Sequence, residues 1–206
     1  MIVVFEGCDG VGKSTMVEAV KAAHLAAGHA PETVSIWHAG PFPEGSNAWN
    51  EYVVPLSSLT PTKDWLVIID RWHIGELVYG PIFRGQSRLT TEQRHWIDGY
   101  LHSLGAVIVY LKATYEEISR RLNVRGDDMV KQEHIPPILA KYEEVLGIPW
   151  KCKTITHDTT NQRTEPMAEA IYLATGVEAV ISLHRFRHPS DINDQLPYWE
   201  THPWPS

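Results

Sequence analysis

A chain of 206 residues, 43% of them hydrophobic and with a formal net charge of −7, can bury one sizeable core but lacks the broadly basic surface that coating nucleic acid requires. Its two cysteines, Cys8 and Cys152, give neither a disulfide framework nor a metal-ligand spacing, which fits a reducing compartment. No apolar run approaches the roughly 18 residues of a membrane span, and the first residues read as a strand and a glycine loop, not a signal peptide, so the expectation is a cytoplasmic protein.

The apolar run Ile2-Val3-Val4-Phe5 reads as a first strand, and it leads into Gly7-Cys8-Asp9-Gly10-Val11-Gly12-Lys13-Ser14. This is the pattern G-x-x-x-x-G-K-[ST]. Its glycines allow a tight backbone path that turns several N–H groups toward one anion, and the helix opening at Lys13 adds the positive end of its dipole. Lys13 can reach β- and γ-phosphates, and the Ser14 hydroxyl is placed to ligate Mg²⁺. The strand-loop-helix context predicts a nucleotide site made by Gly7, Asp9, Gly10, Val11, Gly12, Lys13, Ser14 and Thr15.

Val17, Val20, His24 and Ala27 then fall at helical spacing, with Gly28 as a stop, and Val34-Ser35-Ile36-Trp37 reads as a second strand. Residues 39–64, with four of the fourteen prolines, predict an irregular segment with at most short helices. Trp65 to Ile69 reads as a buried third strand ending at Asp70. Thr90 to Gln93 form a capping box for a helix with Trp96, Ile97, Tyr100, Leu101 and Leu104 on one face, closed by Gly105. Val107 to Leu111 is a fourth strand, and Thr114 to Glu117 repeat the capping box ahead of Ile118 and Leu122. Pro136 and Pro137 start a helix carrying Leu139, Tyr142 and Leu146. Lys153-Thr154-Ile155-Thr156 is a fifth strand, and a last helix runs from about Thr164 to Thr175. Such alternation marks an α/β protein with a parallel sheet wrapped by helices.

Residues 177–206 differ in character. Their prolines oppose regular helix, while Tyr198, Trp199 and Trp204 are too apolar for a solvated tail. The expected division is a catalytic domain over 1–176 and a C-terminal arm over 177–206, packed on the core or on a second subunit, which leaves a homodimer open. His184 and His188 stand four apart, but no flanking ligand cluster makes them a metal site.

Phe5-Glu6-Gly7-Cys8-Asp9-Gly10-Val11-Gly12-Lys13-Ser14-Thr15 resembles the F-E-G-x-D-G-x-G-K-S-T motif of the thymidylate kinase family of P-loop nucleoside monophosphate kinases. Asp70-Arg71-Trp72, with Tyr79 nine residues after Asp70, is similar to its D-R-Y-x-x-S-x-x-A-Y-Q segment. Arg121-Leu122 through Arg125-Gly126-Asp127-Asp128, then Glu133 and Tyr142, resembles its basic lid and the following helix, placing a lid around 120–131. The resemblance covers residues 1 to about 175. It implies the three-layer P-loop NTPase fold, a five-stranded parallel sheet of order 2-3-1-4-5 flanked by helices. It also implies ATP as phosphoryl donor with Mg²⁺, and a deoxynucleoside monophosphate, thymidylate or a modified relative, as acceptor.

The same resemblance assigns roles. Lys13 and the lid residue Arg125 would neutralise charge on the transferred phosphoryl group, which positioning and electrostatics mainly stabilise. Asp9 would accept a hydrogen bond from the acceptor's 3′-hydroxyl, or else stabilise the loop. Arg71 would hold the acceptor phosphate through its planar fork. Asp70 would hold Mg²⁺ through water, or partner Arg71, and Glu6 would orient the loop or act as base. Arg121 is assigned to the donor, with a solvated helix face as the alternative for it and for Arg120. Phe42, Trp49, Trp72 and Tyr79 are candidates to stack on the acceptor base, with core packing as the alternative.

Departures from the family pattern fall on the acceptor side. Trp37-His38-Ala39-Gly40-Pro41 lacks the arginine of the family's R-x-P-G-G, and the segment 39–64 is shorter than the usual stretch with two helices and a stacking aromatic. Gly75 and Gly80 stand where the family has serine and glutamine. Arg84 and Arg88 are the nearest basic residues to supply the missing clamp, unless they belong to a solvated loop. Two other readings stay open. One is a P-loop kinase acting on a hydroxyl of a nucleoside or of a hydroxymethylated base in DNA, and the other is a nucleotide-binding module without catalysis.

Overall fold

The computed structural model describes residues 1–40, 42–43, 45–59, 64–126 and 130–182, with backbone alone from residue 175 onward. Five parallel strands, β1 (Ile2–Glu6), β2 (Val34–His38), β3 (Leu66–Asp70), β4 (Val107–Lys112) and β5 (Lys153–Asp158), form one sheet of order β2-β3-β1-β4-β5. This is the expected α/β architecture. β1, β3 and β4 are almost entirely buried, which explains their near-continuous runs of Val, Ile and Leu, whereas the edge strands β2 and β5 are only partly covered.

Among the described residues six helices, α1 (Lys13–Ala26), α2 (Ala48–Ser57), α3 (His73–Arg84), α4 (Thr91–Ser103), α5 (Tyr115–Arg125) and α6 (Ile135–Leu146), occupy the connections between strands, and α7 (Thr164–Ser182) follows β5. From β1 the chain goes through α1 to the β2 edge, but from β3 it goes through α3 and α4 to β4 on the other side. Right-handed crossovers therefore put α1 and α3 on opposite faces, and a crevice opens where the direction reverses, at the carboxyl ends of β1 and β3. The register sets Phe5 beside Asp70 there. α1 packs with α7 on one face, and α3 packs with α6 on the other.

The Thr90 capping box forms in both directions: Gln93 N–H donates to Thr90 Oγ1 and Thr90 N–H to Gln93 Oε1. The second forms by half. Glu117 N–H reaches Thr114 Oγ1 at 3.3 Å, but the Glu117 carboxylate accepts from Arg120 and Arg121 instead, and Thr114 N–H goes to Thr160 Oγ1 at 2.9 Å.

Other differences also have local causes. The ten-residue α2 stands inside the segment expected to be irregular; Asn47 caps it by accepting from Asn50 N–H, and Tyr52 and Leu56 anchor it in the core. α3 carries Gly75, Gly80 and Pro81, poor helix formers, yet burial of Ile74 and Val78 holds it. The core face of α6 is Ile135, Ile138, Tyr142 and Val145, with Leu139 and Leu146 half-buried beside it. Trp65 lies outside β3 and is 46% exposed. α7 continues past Thr175 to Ser182, across the boundary expected at 176. The aromatic and histidine residues of the expected arm, and Asp127 and Asp128 of the expected lid, lie outside the described residues. Among the described residues no helix is long and apolar enough to cross a membrane.

Candidate functional site

The glycine loop adopts the path its sequence predicts. Gly7, Gly10 and Gly12 have φ of 144°, 76° and 101°, in the region that side chains disfavour. Position 7 also has no room, since a Cβ there would sit 2.4 Å from the Leu111 carbonyl oxygen. Lys13 opens α1 and its Nζ donates to the carbonyls of Gly7 and Cys8, both at 2.9 Å, which closes the loop around its own lysine. Burial lowers the Lys13 ammonium to about 8, with the Arg71 charge acting in the same direction. Cys8 is fully buried in the core, and that burial pushes its thiol up to about 11.

Two cavities meet beside this loop. The first, of about 500 Å³, is lined by Asp9, Gly10, Gly12, Lys13, Ser14 and Thr15 of the loop, by Asp70 and Arg71 after β3, and by Arg120, Arg121, Val124 and Arg125 of α5. The second, of about 360 Å³, is lined by Asp9, Arg71, Trp72, Gly75, Glu76, Tyr79, Phe83 and Arg84, with Ala39, Gly40, Phe42, Tyr52, Arg88 and Val130. Asp9 and Arg71 belong to both walls.

These two residues are bonded to each other. The Arg71 Nη2 group donates to Asp9 Oδ1, and the Tyr79 hydroxyl donates to Asp9 Oδ2 at 3.1 Å. Burial alone would push the Asp9 carboxyl up; the Arg71 and Lys13 charges and the bonds from Arg71 and Tyr79 outweigh it and hold Asp9 below its ordinary value. Arg71 also lies over the Tyr79 ring, 5.7 Å from its centroid. Its backbone has φ of 64°, a conformation costing a non-glycine residue roughly 1–3 kcal/mol. Glu6 offsets that strain from beneath. It is fully buried and accepts from Trp72 N–H at 2.8 Å, Gly75 N–H at 3.3 Å and the Tyr142 hydroxyl at 3.2 Å, tying β1 to the start of α3 and to α6. Desolvation pushes the Glu6 carboxyl up to about 7.

Asp70 does not pair with Arg71. Its Oδ2 lies 3.3 Å from His38 Nδ1, and its Oδ1 is buried with no hydrogen-bond partner. That orphaned oxygen and the exposed Ser14 hydroxyl line the same cavity, and one carboxylate plus one hydroxyl is a donor set that suits Mg²⁺ when phosphates and water fill the remaining positions. No cluster of three or more His, Cys, Asp or Glu able to hold a metal occurs among the described residues.

On α5 the arginines divide. Arg121 donates to the carbonyls of Gly10 at 3.4 Å, Val11 at 3.1 Å and Thr159 at 2.8 Å, and to Glu117 at 2.7 Å, so its guanidinium braces the glycine loop against the turn after β5. Arg120 pairs with Glu117 on the solvent side. Arg125 is exposed at the cavity rim, just before Gly126, whose φ of 67° ends α5.

The aromatic candidates divide as well. Trp72, Tyr79 and Phe42 line the second cavity, Trp72 edge-on to Tyr52 and Phe42 edge-on to Tyr52. Trp49 does not. It packs edge-to-face on Trp96 of α4, apart from the residues that line the two cavities. Arg84 and Arg88 do line the second cavity, and both bond to Glu76, a buried carboxylate that belongs to no motif in the sequence. Only its spacing from Trp72, Tyr79 and Gly80 on one helix would have flagged it.

No protein-family model matches the chain. Over 81 residues, 39% of the chain, it is 40% identical to the SPbeta prophage-derived uncharacterized protein YorR of Bacillus subtilis (strain 168), and the match spans 48% of that protein, about half its length. A crystal structure of Bacillus subtilis YorR in complex with phosphorylated GDP aligns over 91% of this chain and 100% of that one, with a TM-score of 0.67 and 26% identity. Deoxyadenosine kinase from M. mycoides, with products dCMP and a flexible dCDP bound, aligns over 83% of this chain and 96% of that one, with a TM-score of 0.50 and 16% identity. A gluconokinase from Sinorhizobium meliloti 1021 aligns over 89% and 97%, with a TM-score of 0.52 and 13% identity. The chain has the fold of the P-loop kinases. These likenesses reach the kinases generally and do not single out thymidylate kinases.

Proposed function

We propose that the protein transfers the γ-phosphoryl group of ATP, with Mg²⁺, to the phosphate of a deoxynucleoside monophosphate, with thymidylate or a modified relative as the first candidate. The observation that carries this reading is the bonded Asp9–Arg71 pair in the common wall of the two cavities, one built on the glycine loop and the other ringed by Arg71, Arg84 and Arg88. A guanidinium fork there matches two oxygens of an acceptor phosphate, and a neutral nucleoside offers it no comparable anion. YorR is solved with phosphorylated GDP and the M. mycoides deoxyadenosine kinase with dCMP and dCDP, which agrees with a nucleotide acceptor or donor at such a site.

In this reading an acceptor phosphate oxygen attacks the γ-phosphorus, the bond to the β-phosphate oxygen breaks, and ADP leaves. A phosphate monoester loses its second proton near pH ~6, so its oxygen attacks without a protein base. Lys13 exchanges the Gly7 and Cys8 carbonyls for phosphate oxygens, and the amides of the glycine loop hold the donor. Arg71 orients the acceptor, and Arg125, at the cavity rim, adds positive charge to the transferred group. Ser14 and Asp70 would hold Mg²⁺, which would supply electrostatic neutralisation of the donor phosphates.

A second reading has one observation in its favour. Each arginine of the second cavity already has a carboxylate partner, Asp9 for Arg71 and Glu76 for Arg84 and Arg88. These two carboxylates offset all but one of the three guanidinium charges, and a cavity with so little charge left suits a hydroxyl acceptor, on a nucleoside or on a hydroxymethylated base in DNA. A non-catalytic nucleotide sensor, by contrast, has no use for a second cavity joined to the first.

ATP consumption with matched nucleosides, their monophosphates and hydroxymethylated DNA separates the readings. Monophosphates should be the preferred acceptors, and Arg71→Ala should cost ~10²-fold in kcat/KM on them while changing KM for ATP little. Preference for the nucleoside or for DNA in the wild type would hand the site to the second reading.

A further inference from the structure

Glu76 is 5% exposed on α3, deep enough that its charge needs compensation. Three donors supply it. Arg84 Nη2 lies 2.5 Å from Oε1, Arg88 N–H donates to Oε1 at 2.8 Å, and Arg88 Nη2 stands 3.5 Å from Oε2. Gly85, with φ of 79°, ends the helix and folds the chain back, so that arginines from both ends of the turn 84–88 meet one carboxylate. Arg88 is fixed further by the Pro43 carbonyl, 3.4 Å from Nη1, and by the Phe42 ring, 5.9 Å from its guanidinium.

Position 80 belongs to the same arrangement. A Cβ there would lie 2.9 Å from Glu76 Oε1, 2.9 Å from the Gln86 carbonyl oxygen and 3.0 Å from Ser87 Cα. The returning turn and the Glu76 carboxylate thus occupy the space of any side chain at residue 80, which must be glycine while the turn is docked. With both oxygens engaged, Glu76 has little capacity left for a ligand. The two guanidiniums keep free N–H groups and a combined charge one greater than the carboxylate can cancel.

We infer that Glu76 is a positioning residue that docks Arg84 and Arg88 on the wall of the acceptor cavity, making the clamp for the acceptor's phosphate that the second strand, with no arginine after His38, does not provide. This rests on the reading of the acceptor as a monophosphate. An anion entering the cavity completes the charge balance of the cluster, while Asp9 already balances Arg71 on the far side. A carboxylate that merely closed a turn would affect every ligand alike, or none.

Calorimetric titration of thymidine monophosphate, thymidine and ADP into the wild type, Glu76→Gln, Gly80→Ala and Arg84→Met tests this, with a melting curve for each protein. Glu76→Gln should weaken the monophosphate by roughly tenfold or more and leave thymidine and ADP within about twofold. In steady state, KM for the monophosphate should rise, with kcat within about threefold and KM for ATP unchanged. Gly80→Ala should reproduce that pattern without removing a charge, because it displaces the same turn. Unchanged monophosphate binding in a folded Glu76→Gln, or equal losses on all three ligands, would overturn the inference. Should that variant not fold, Arg84→Met decides, since its 41% exposed side chain carries no core; a loss confined to the monophosphate supports the clamp, and no loss refutes it. A wild type that binds thymidine as tightly as its monophosphate removes the acceptor reading itself, and the clamp with it, before any variant is examined.

Discussion

The cavity around the glycine loop takes half of its wall from one continuous stretch, residues 9–15, whereas the adjoining cavity draws on the end of β2, on α2, on α3 and on the turn that follows it. In the proposed reading the first cavity holds phosphate mainly through backbone amides fixed by three glycines of positive φ, so its chemistry depends on local conformation. The second is lined by side chains that converge only when distant elements pack. Replacing a loop residue should therefore strike every acceptor equally, and replacing an acceptor-side residue should discriminate among them.

The largest expected effect is on the loop. Lys13→Ala should lower kcat by ~10³-fold or more with all acceptors while leaving the fold intact, because the buried lysine lines the cavity and its ammonium bonds two carbonyls of the loop without packing the apolar core. Single-turnover rates and a melting curve check both halves of the statement. A folded variant within tenfold of the wild type would remove Lys13 from the chemistry.

Asp9 stands in both walls, so it tests where one cavity ends and the other begins. Losing one charge-assisted hydrogen bond costs about 1.5–3 kcal/mol, roughly 10- to 150-fold. If Asp9 bonds the acceptor's 3′-hydroxyl, Asp9→Ala should cost that much on a 3′-hydroxylated acceptor and little on its 3′-deoxy analogue. The geometry offers the rival account directly, since Asp9 already accepts from Arg71 and Tyr79. Equal losses on both acceptors, non-additive with Arg71→Ala, would show that Asp9 acts by holding Arg71.

What was legible in the chain follows the same division. The strands themselves and the glycine loop were legible because each depends on a short run of residues with strong local preferences, whereas the order 2-3-1-4-5 and the Asp70-Arg71 corner were legible through the family resemblance alone. α3 was obscured by Gly75, Gly80 and Pro81, and α2 by the prolines around it; both stand because the apolar residues they bury outweigh weak propensity. The contact of Trp49 with Trp96, 47 positions away, had no signal in the sequence. Spacing alone places Arg121 beside the glycine loop, whose cavity it lines, but cannot show that its donors bond carbonyls of that loop. Glu76 had no signal of its own: its role exists only once the turn 84–88 folds back over α3.

The smallest effect should come from Glu6, which touches neither cavity and supports both. Its carboxyl is pushed up to about 7 in the folded protein, against an ordinary value near 4.5. Between those values the folded state keeps a proton that the unfolded state has released, so the contribution of Glu6 to stability is fully present below pH ~4.5 and falls as pH rises through ~7. Glu6→Gln cannot titrate and can still accept from Trp72 N–H. Its melting temperature should therefore gain on the wild type by a few degrees between pH ~4.5 and pH ~7.5, and the difference should level off above that. His73, whose imidazole burial lowers to about 4, changes stability in the opposite sense over part of this window, but it is present in both proteins and cancels in the difference. Lys13, lowered to about 8, adds stability only as pH climbs from there toward 10.5, above the range compared. A constant offset between the two melting curves from pH ~4.5 to ~7.5 would mean that Glu6 holds the same charge folded and unfolded, and that the corner at Arg71 is supported by hydrogen-bond geometry without any coupling to protons.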